Sequence, residues 1–136
     1  MPVLDTEVLF ALNPGDKHHK YALKVLSELR EKGVRLHAPD TALMEFQIVL
    51  RSISKEPAKI RKAVLALRTA LQINGATETS TVDSQLVARQ CEIEEKYDLS
   101  FFDSLIAASA QRLDHGILSD DRAFDRIPGI VRTPMS

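Results

Sequence analysis

The chain has 136 residues, 44% hydrophobic and 27% charged, with a formal net charge of -1 at pH 7, which suits one domain over residues 1-136 burying roughly two-thirds of its unfolded surface. No apolar run approaches the ~20 residues that cross a bilayer, and the start Met1-Pro2-Val3-Leu4-Asp5 lacks the basic opening of a secretory leader. The single cysteine, Cys91, excludes an internal disulfide and a cysteine-built zinc cage, so a cytoplasmic protein with no membrane association is expected.

Short apolar runs alternate with longer helical patterns, which predicts an α/β domain around a mainly parallel sheet. Pro2–Leu4 reads as a strand ending at Asp5, followed by a helical turn after Thr6 and the turn Asn13-Pro14-Gly15-Asp16. A helix is predicted over Lys17–Lys32, with Tyr21, Val25 and Leu29 as its apolar row and Gly33 closing it. Val34–Ala38 reads as the second strand, Pro39-Asp40 opens a helix ending near Arg51, and Ser52–Glu56 breaks the pattern. Pro57 suits the first turn of another helix, whose row is Ile60, Val64, Leu67 and Leu71 and whose stop is Asn74-Gly75. Ala76–Thr81 fits a third strand, and Asp83–Tyr97 a helix carrying Leu86, Ile93 and Tyr97, with Cys91 as a core filler. Ser100-Phe101-Phe102-Asp103 is similar to a capping box, with Asp at the third helical position. The helix it opens runs to Gly116, and its Ala107-Ala108-Ser109-Ala110 offers a small face for close packing. Ile117-Leu118 and Ile130-Val131 complete about five short strands among six or seven helices.

In parallel α/β sheets ligands bind beyond the carboxyl ends of the strands. Asp5 and the pair Asp120/Asp121 fall at such ends, while Glu45 and Asp103 interrupt apolar helical stretches. A carboxylate among core-type residues is costly unless it is paired or binds a metal, so these four places are candidates for one acidic pocket. Each also has a plain structural reading: Asp5 as a helix cap, Asp103 as a dipole partner in a first turn, Glu45 as an edge residue. His18, His19, His37 and His115 share no helical spacing and read as surface side chains. The charge is divided, with 12 Lys+Arg against 8 Asp+Glu in residues 1-70 (net +4) and 6 against 11 in residues 71-136 (net -5). The excess around Lys55, Lys59 and Lys62 reads either as a grip for a polyanion or as a solvated helix face.

Taken in order, Val3-Leu4-Asp5-Thr6, Ala42-Leu43-Met44-Glu45, Leu99-Ser100-Phe101-Phe102-Asp103-Ser104-Leu105-Ile106-Ala107 and Leu118-Ser119-Asp120-Asp121-Arg122-Ala123-Phe124 resemble the PIN-domain family of metal-dependent ribonucleases. The paired His18-His19 and the closing Ile127-Pro128-Gly129 also look like this family, and the resemblance covers nearly all of the chain. It implies a three-layer α/β/α fold and a phosphodiester hydrolase with Asp5, Glu45, Asp103 and Asp121 as catalytic residues. Asp5, Asp103 and Asp121 would hold Mg²⁺ or Mn²⁺, hard ions suited to a few carboxylates and several waters. Glu45 would bind through water or orient the nucleophile, and Thr6, Ser119 and Asp120 would support the carboxylates or cap backbone groups. Asp121 is preferred to Asp120 because the family's last acid follows a Ser or Thr by two positions, which leaves Asp120 to cap the turn of Arg122-Ala123-Phe124. The chain departs from the family's usual Asn at Glu7, and from an optional acid at Ala123.

Among members of this length the resemblance is to VapC-type toxins, implying an RNA substrate, a small antitoxin partner and a homodimer. The competing readings are an RNA-processing nuclease outside such a pair, a PIN module that binds RNA or protein without turnover, and aspartyl-phosphate chemistry. The last needs Asp-x-Asp after the first strand, where this chain has Asp5-Thr6-Glu7.

Overall fold

A computed structural model describes residues 2–136. The elements run β1 (Val3–Leu4), α1 (Thr6–Ala11), α2 (His19–Glu31), β2 (Leu36–Pro39), α3 (Asp40–Ile53), α4 (Pro57–Ile73), β3 (Ala76–Thr79), α5 (Ser84–Tyr97), α6 (Phe101–Leu113), β4 (Gly116–Leu118), a 3-10 turn (Arg122–Arg126) and β5 (Val131–Thr133). The sheet is parallel throughout, in the order β3-β2-β1-β4-β5, within a three-layer α/β/α arrangement. Val3, Leu4, Ile117 and Leu118 are fully buried, as expected of central strands covered on both faces. Because β2 and β4 flank β1, the chain reverses direction across the sheet there, and the topological switch lies at the carboxyl ends of β1 and β4. Val3 pairs with Ile117 and Leu4 with Leu118, which sets Asp5 level with Ser119.

Several local expectations shift by a residue or more. In α2 Ala22 and Leu26 are fully buried and Val25 and Leu29 of the expected row pack against the core beside them, while Tyr21 is 54% exposed beside the His18 ring. α2 begins at His19, α3 reaches Ile53, α6 ends at Leu113, and the last strand is Val131–Thr133. Val64 lies outside the buried face of α4, which is Ile60, Leu67 and Leu71. Cys91 is exposed rather than a core filler. Gln90 takes the buried position, where its amide donates to Ser104 Oγ and Glu94 Oε1 at 3.0 Å each. The small stretch of α6 is buried from Ser104 to Ala110. Gly33 and Gly75 follow α2 and α4 with φ of 74° and 73°, the left-handed conformation that ends a helix with least strain on glycine. No helix among the described residues is long and apolar enough to cross a membrane.

The histidines are bonded rather than free surface groups at two positions. His19 Nδ1 lies 2.8 Å from the Ala11 carbonyl, and His37 Nδ1 is equally close to Thr79 Oγ1.

A polar staple that no sequence motif announces fastens the segment after β3 to the start of α3. Asp40 accepts from Thr41 N (3.0 Å), Thr81 N (3.0 Å), Thr81 Oγ1 (2.7 Å) and Val82 N (3.1 Å). Thr81 Oγ1 and Thr41 Oγ1 each continue to Ser109 Oγ at 2.8 Å, so a chain of buried hydroxyls reaches into α6. Partial burial works to raise the Asp40 pKa, but the bonds from Thr81, Val82 and Thr41 outweigh it and hold the carboxyl below its ordinary range. Asp40→Ala should therefore cost about 2 kcal/mol of stability in chemical denaturation at neutral pH. A depressed folded-state pKa contributes stability above the ordinary carboxylate value and loses it as pH falls through the folded one. The difference between Asp40→Ala and the wild-type protein should accordingly shrink in acid, and equal stability at neutral pH would show that the staple is dispensable.

Candidate active site

The candidate acids come from four segments of the chain. Asp5 leaves β1 and caps α1, its Oδ1 accepting from Thr6 N at 2.8 Å. It is 6% exposed, and its Oδ2 takes the Ser119 hydroxyl from the end of β4 at 2.5 Å. The cap reading and the pocket reading of Asp5 are thus both satisfied, one oxygen each. Burial pushes the Asp5 pKa up to about 7, and the charges of Glu7 and Asp103 add to that, against the lowering bonds from Ser119 and Thr6.

Asp103 lies in the first turn of α6, where its amide donates to Ser100 Oγ at 3.2 Å, the capping interaction expected from the motif. Its carboxyl is half-buried, and its pKa is raised first by burial, then by the charges on Asp121, Glu45 and Glu7. Glu45, in α3, is therefore part of the same electrostatic neighbourhood. Like charges held near one another disfavour ionisation, and a nearby cation relieves that.

Ser119, completely buried, is the hub of the turn after β4. Its hydroxyl lies 2.5 Å from Asp5 Oδ2 and 3.1 Å from Glu7 Oε1, and it accepts from Asp121 N at 2.9 Å. Its carbonyl accepts from Arg132 Nη1 at 3.1 Å, while that guanidinium also grips both oxygens of Asp125. The division of labour between the adjacent aspartates differs from expectation. Asp121, not Asp120, caps the 3-10 turn by accepting from Ala123 N at 2.9 Å. Asp120 instead holds the chain beyond β5, accepting from Met135 N (2.8 Å), Ser136 N (3.1 Å) and Ser136 Oγ (2.8 Å). The reason is local: in a tight turn the residue just before the 3-10 segment is the one whose side chain can reach back to its amides.

Glu7 and Arg132 join the site without a sequence motif to mark them. Glu7 stands out in the sequence only as a departure from an expected Asn, and its place in the first turn after Asp5 is the signal that could have found it. Lys55, Lys59 and Lys62 lie on the α3–α4 connection and the start of α4. Lys59 lies 3.4 Å from Glu56, and none of the three makes an ion pair with the acids of the pocket among the described residues.

A divalent ion is what the donor chemistry suits, since every candidate ligand is a hard oxygen and Asp5 is buried among other acids. Thr6 Oγ1, buried beside Asp5 in the chain, has no hydrogen-bond partner. Among the described residues, however, no group of three or more His, Cys, Asp or Glu side chains is placed to hold a metal ion. The arrangement therefore fits an ion that keeps much of its water shell and takes only one or two direct carboxylates.

The structure is similar to three solved toxin–antitoxin assemblies. VapBC2 from Rickettsia felis, bound to a DNA fragment from their promoter, has a TM-score of 0.72 at 20% identity, covering 97% of this chain and 96% of that one. DNA-bound VapBC from Salmonella typhimurium gives 0.69 at 19% identity over 100% of both chains. A toxin-antitoxin complex from Klebsiella pneumoniae gives 0.64 at 19% identity over 96% of each. Comparison with curated proteins found no match. The sequence itself matches the family model of the PIN domain over residues 3–130. The chain belongs to the PIN domain family.

Proposed function

We propose that this chain is a Mg²⁺- or Mn²⁺-dependent endoribonuclease and the toxin of a toxin–antitoxin pair. What supports the reading is that Asp5 is buried at the switch point of a PIN fold and that its pKa and that of Asp103 are raised in part by neighbouring acids, Glu7 and Asp103 for the one and Asp121, Glu45 and Glu7 for the other. Asp5, Asp103 and Asp121 would hold the ion, one or two of them directly and the rest through its waters, and when bound it supplies Lewis-acid neutralisation of the negative charge on a phosphodiester. The Ser119 hydroxyl fixes the rotamer of Asp5, and the cap of the 3-10 turn fixes that of Asp121. Glu45 has the role of orienting the attacking water by accepting a hydrogen bond from it. The partner proteins named for the three similar structures support a small antitoxin as partner here. An apolar groove of about 390 Å³ between α1, α3 and α4, with Leu9, Phe10, Phe46, Leu50 and Leu67 among its lining, is a surface such a partner could cover. A homodimer in the cytoplasm is the expected assembly. The test is cleavage of a mixed RNA pool by purified protein: cutting with Mn²⁺ or Mg²⁺ and none with EDTA supports the reading, and cutting undiminished by EDTA overturns the metal dependence.

Lys55, Lys59 and Lys62 are assigned to the RNA backbone. Replacing all three with Gln should weaken RNA binding and reduce the slope of affinity against salt by up to about 3, one for each phosphate no longer neutralised. Ion affinity should not change, because none of the three pairs with an acid of the pocket. An unchanged salt slope would leave these lysines as a solvated face.

A further inference from the structure

The proposed nuclease leaves one side chain of the pocket without a role. Glu7 stands in the first turn of α1, and its Oε1 reaches the opposite side of the switch point. There it accepts from the Asp120 amide at 2.5 Å and meets the Ser119 hydroxyl at 3.1 Å, across 113 and 112 residues of sequence. The turn it touches is otherwise fastened from the β5 side. Arg132 holds the Ser119 carbonyl, and the amides of Met135 and Ser136 hold the Asp120 carboxylate. Asp121 has no freedom of its own within that turn, because its amide is bonded to Ser119 Oγ and its Oδ1 to Ala123 N. Where the turn goes, Asp121 follows. From the α1 side two side chains set its place, Asp5 through Ser119, and Glu7 through both Ser119 and the Asp120 amide.

We propose that Glu7 is a positioning residue of the acidic pocket: by tethering the Ser119–Asp121 turn to α1 it sets Asp121 against Asp5 and Asp103. The negative charge of Glu7 is a burden at this place, since it adds to the repulsion felt by both Asp5 and Asp103. What it gives in return is reach. Asn, one methylene shorter, would fall short of the Asp120 amide. The role rests on the nuclease reading for its purpose but not for its existence, since the tether is a contact within the chain itself.

The deciding experiment compares the full-length wild-type protein with Glu7→Gln and Glu7→Ala in two measurements. One is hydrogen exchange of the Asp120 amide without divalent ions. The other is the manganese chloride concentration at which the protein's melting temperature has risen half-way. Glu7→Ala should lose protection at Asp120 and shift that concentration upward about tenfold, as removal of an outer-sphere partner does. Glu7→Gln keeps an acceptor oxygen at the same reach and should stay close to wild type in both. Should Glu7→Ala fold poorly, Glu7→Asn serves in its place. Gln shifting the manganese response as far as Ala, with Asp120 still protected, would mean that Glu7 acts through its charge or as a direct ligand, and would overturn the proposal. Protection at Asp120 unchanged in Glu7→Ala would overturn it as well. If wild type shows no response to manganese, the metal-dependent reading fails by itself, and the exchange at Asp120 still decides the tether: loss in Ala with rescue by Gln upholds it.

Discussion

Asp103→Asn should abolish RNA cleavage while leaving the metal-free protein at least as stable as wild type. On the proposed reading, removing a ligand of the ion forfeits several kcal/mol of transition-state stabilisation, and each ~1.36 kcal/mol is tenfold in rate, so a loss on the order of a thousandfold is expected. Stability should move the other way or not at all. The Asp103 carboxyl is half-buried, and the charges of Asp121, Glu45 and Glu7 disfavour its ionisation, so a neutral amide removes a repulsion. The Ser100 cap acts on the Asp103 backbone amide, which the substitution retains. If Asp103 served only as an acid against the α6 dipole, the variant would instead lose about 0.3–1 kcal/mol and keep its activity. Measuring initial cleavage rates and EDTA-treated melting temperatures on one preparation separates the two. Full activity in Asp103→Asn would remove Asp103 from the catalytic set.

Much of this fold is legible in the sequence, because the punctuation is strong. Pro39-Asp40, Pro57, Asn74-Gly75 and Ser100 mark helix ends by backbone chemistry, and each marks an end in the structure. The acids at the ends of β1 and β4 are readable for a related reason: a polar residue following a short apolar run must lie at a sheet edge, where the parallel topology opens its cleft. Facing is harder to read than boundaries. In α2 the size of Tyr21 outweighs Ala22 in any periodicity argument, although packing selects the small residue. In α5 the buried position belongs to Gln90 rather than its neighbour Cys91, since the amide finds Ser104 and Glu94 as partners. Such partnership depends on side chains beyond the local pattern. The same limit hides the staple at Asp40 and the reach of Glu7. Both are bonds across 41 or more residues, and no local pattern announces them.

Asp5→Asn should stabilise the metal-free protein, by an amount that grows with pH. The Asp5 carboxyl has a folded-state pKa of about 7 against an ordinary value of 3.8. Below the ordinary value both folded and unfolded states carry the proton, and the group makes no difference to stability. As pH rises between the two values, the unfolded chain ionises freely while the folded one resists, so stability is lost progressively and the loss is complete above the folded pKa. The full penalty is up to ~4 kcal/mol, shared with the neighbouring acids that help to create it. Asn keeps an oxygen to accept from the Thr6 amide and can donate its NH2 to the Ser119 hydroxyl oxygen, so the cap and the link to β4 can both be retained. In EDTA, the melting temperatures of Asp5→Asn and wild type should therefore coincide near pH 4 and diverge by several degrees near pH 8, with the variant higher. Adding Mn²⁺ at the higher pH should reverse the order. An ion that binds only the folded wild type adds ~2.7 kcal/mol at a hundred times its dissociation constant, and the variant lacks a ligand with which to gain it. A variant melting below wild type in EDTA near pH 8 would mean that Asp5 is held there as a cap alone. A higher melting temperature in EDTA without the reversal in Mn²⁺ would show that the carboxyl is strained for some purpose other than holding an ion.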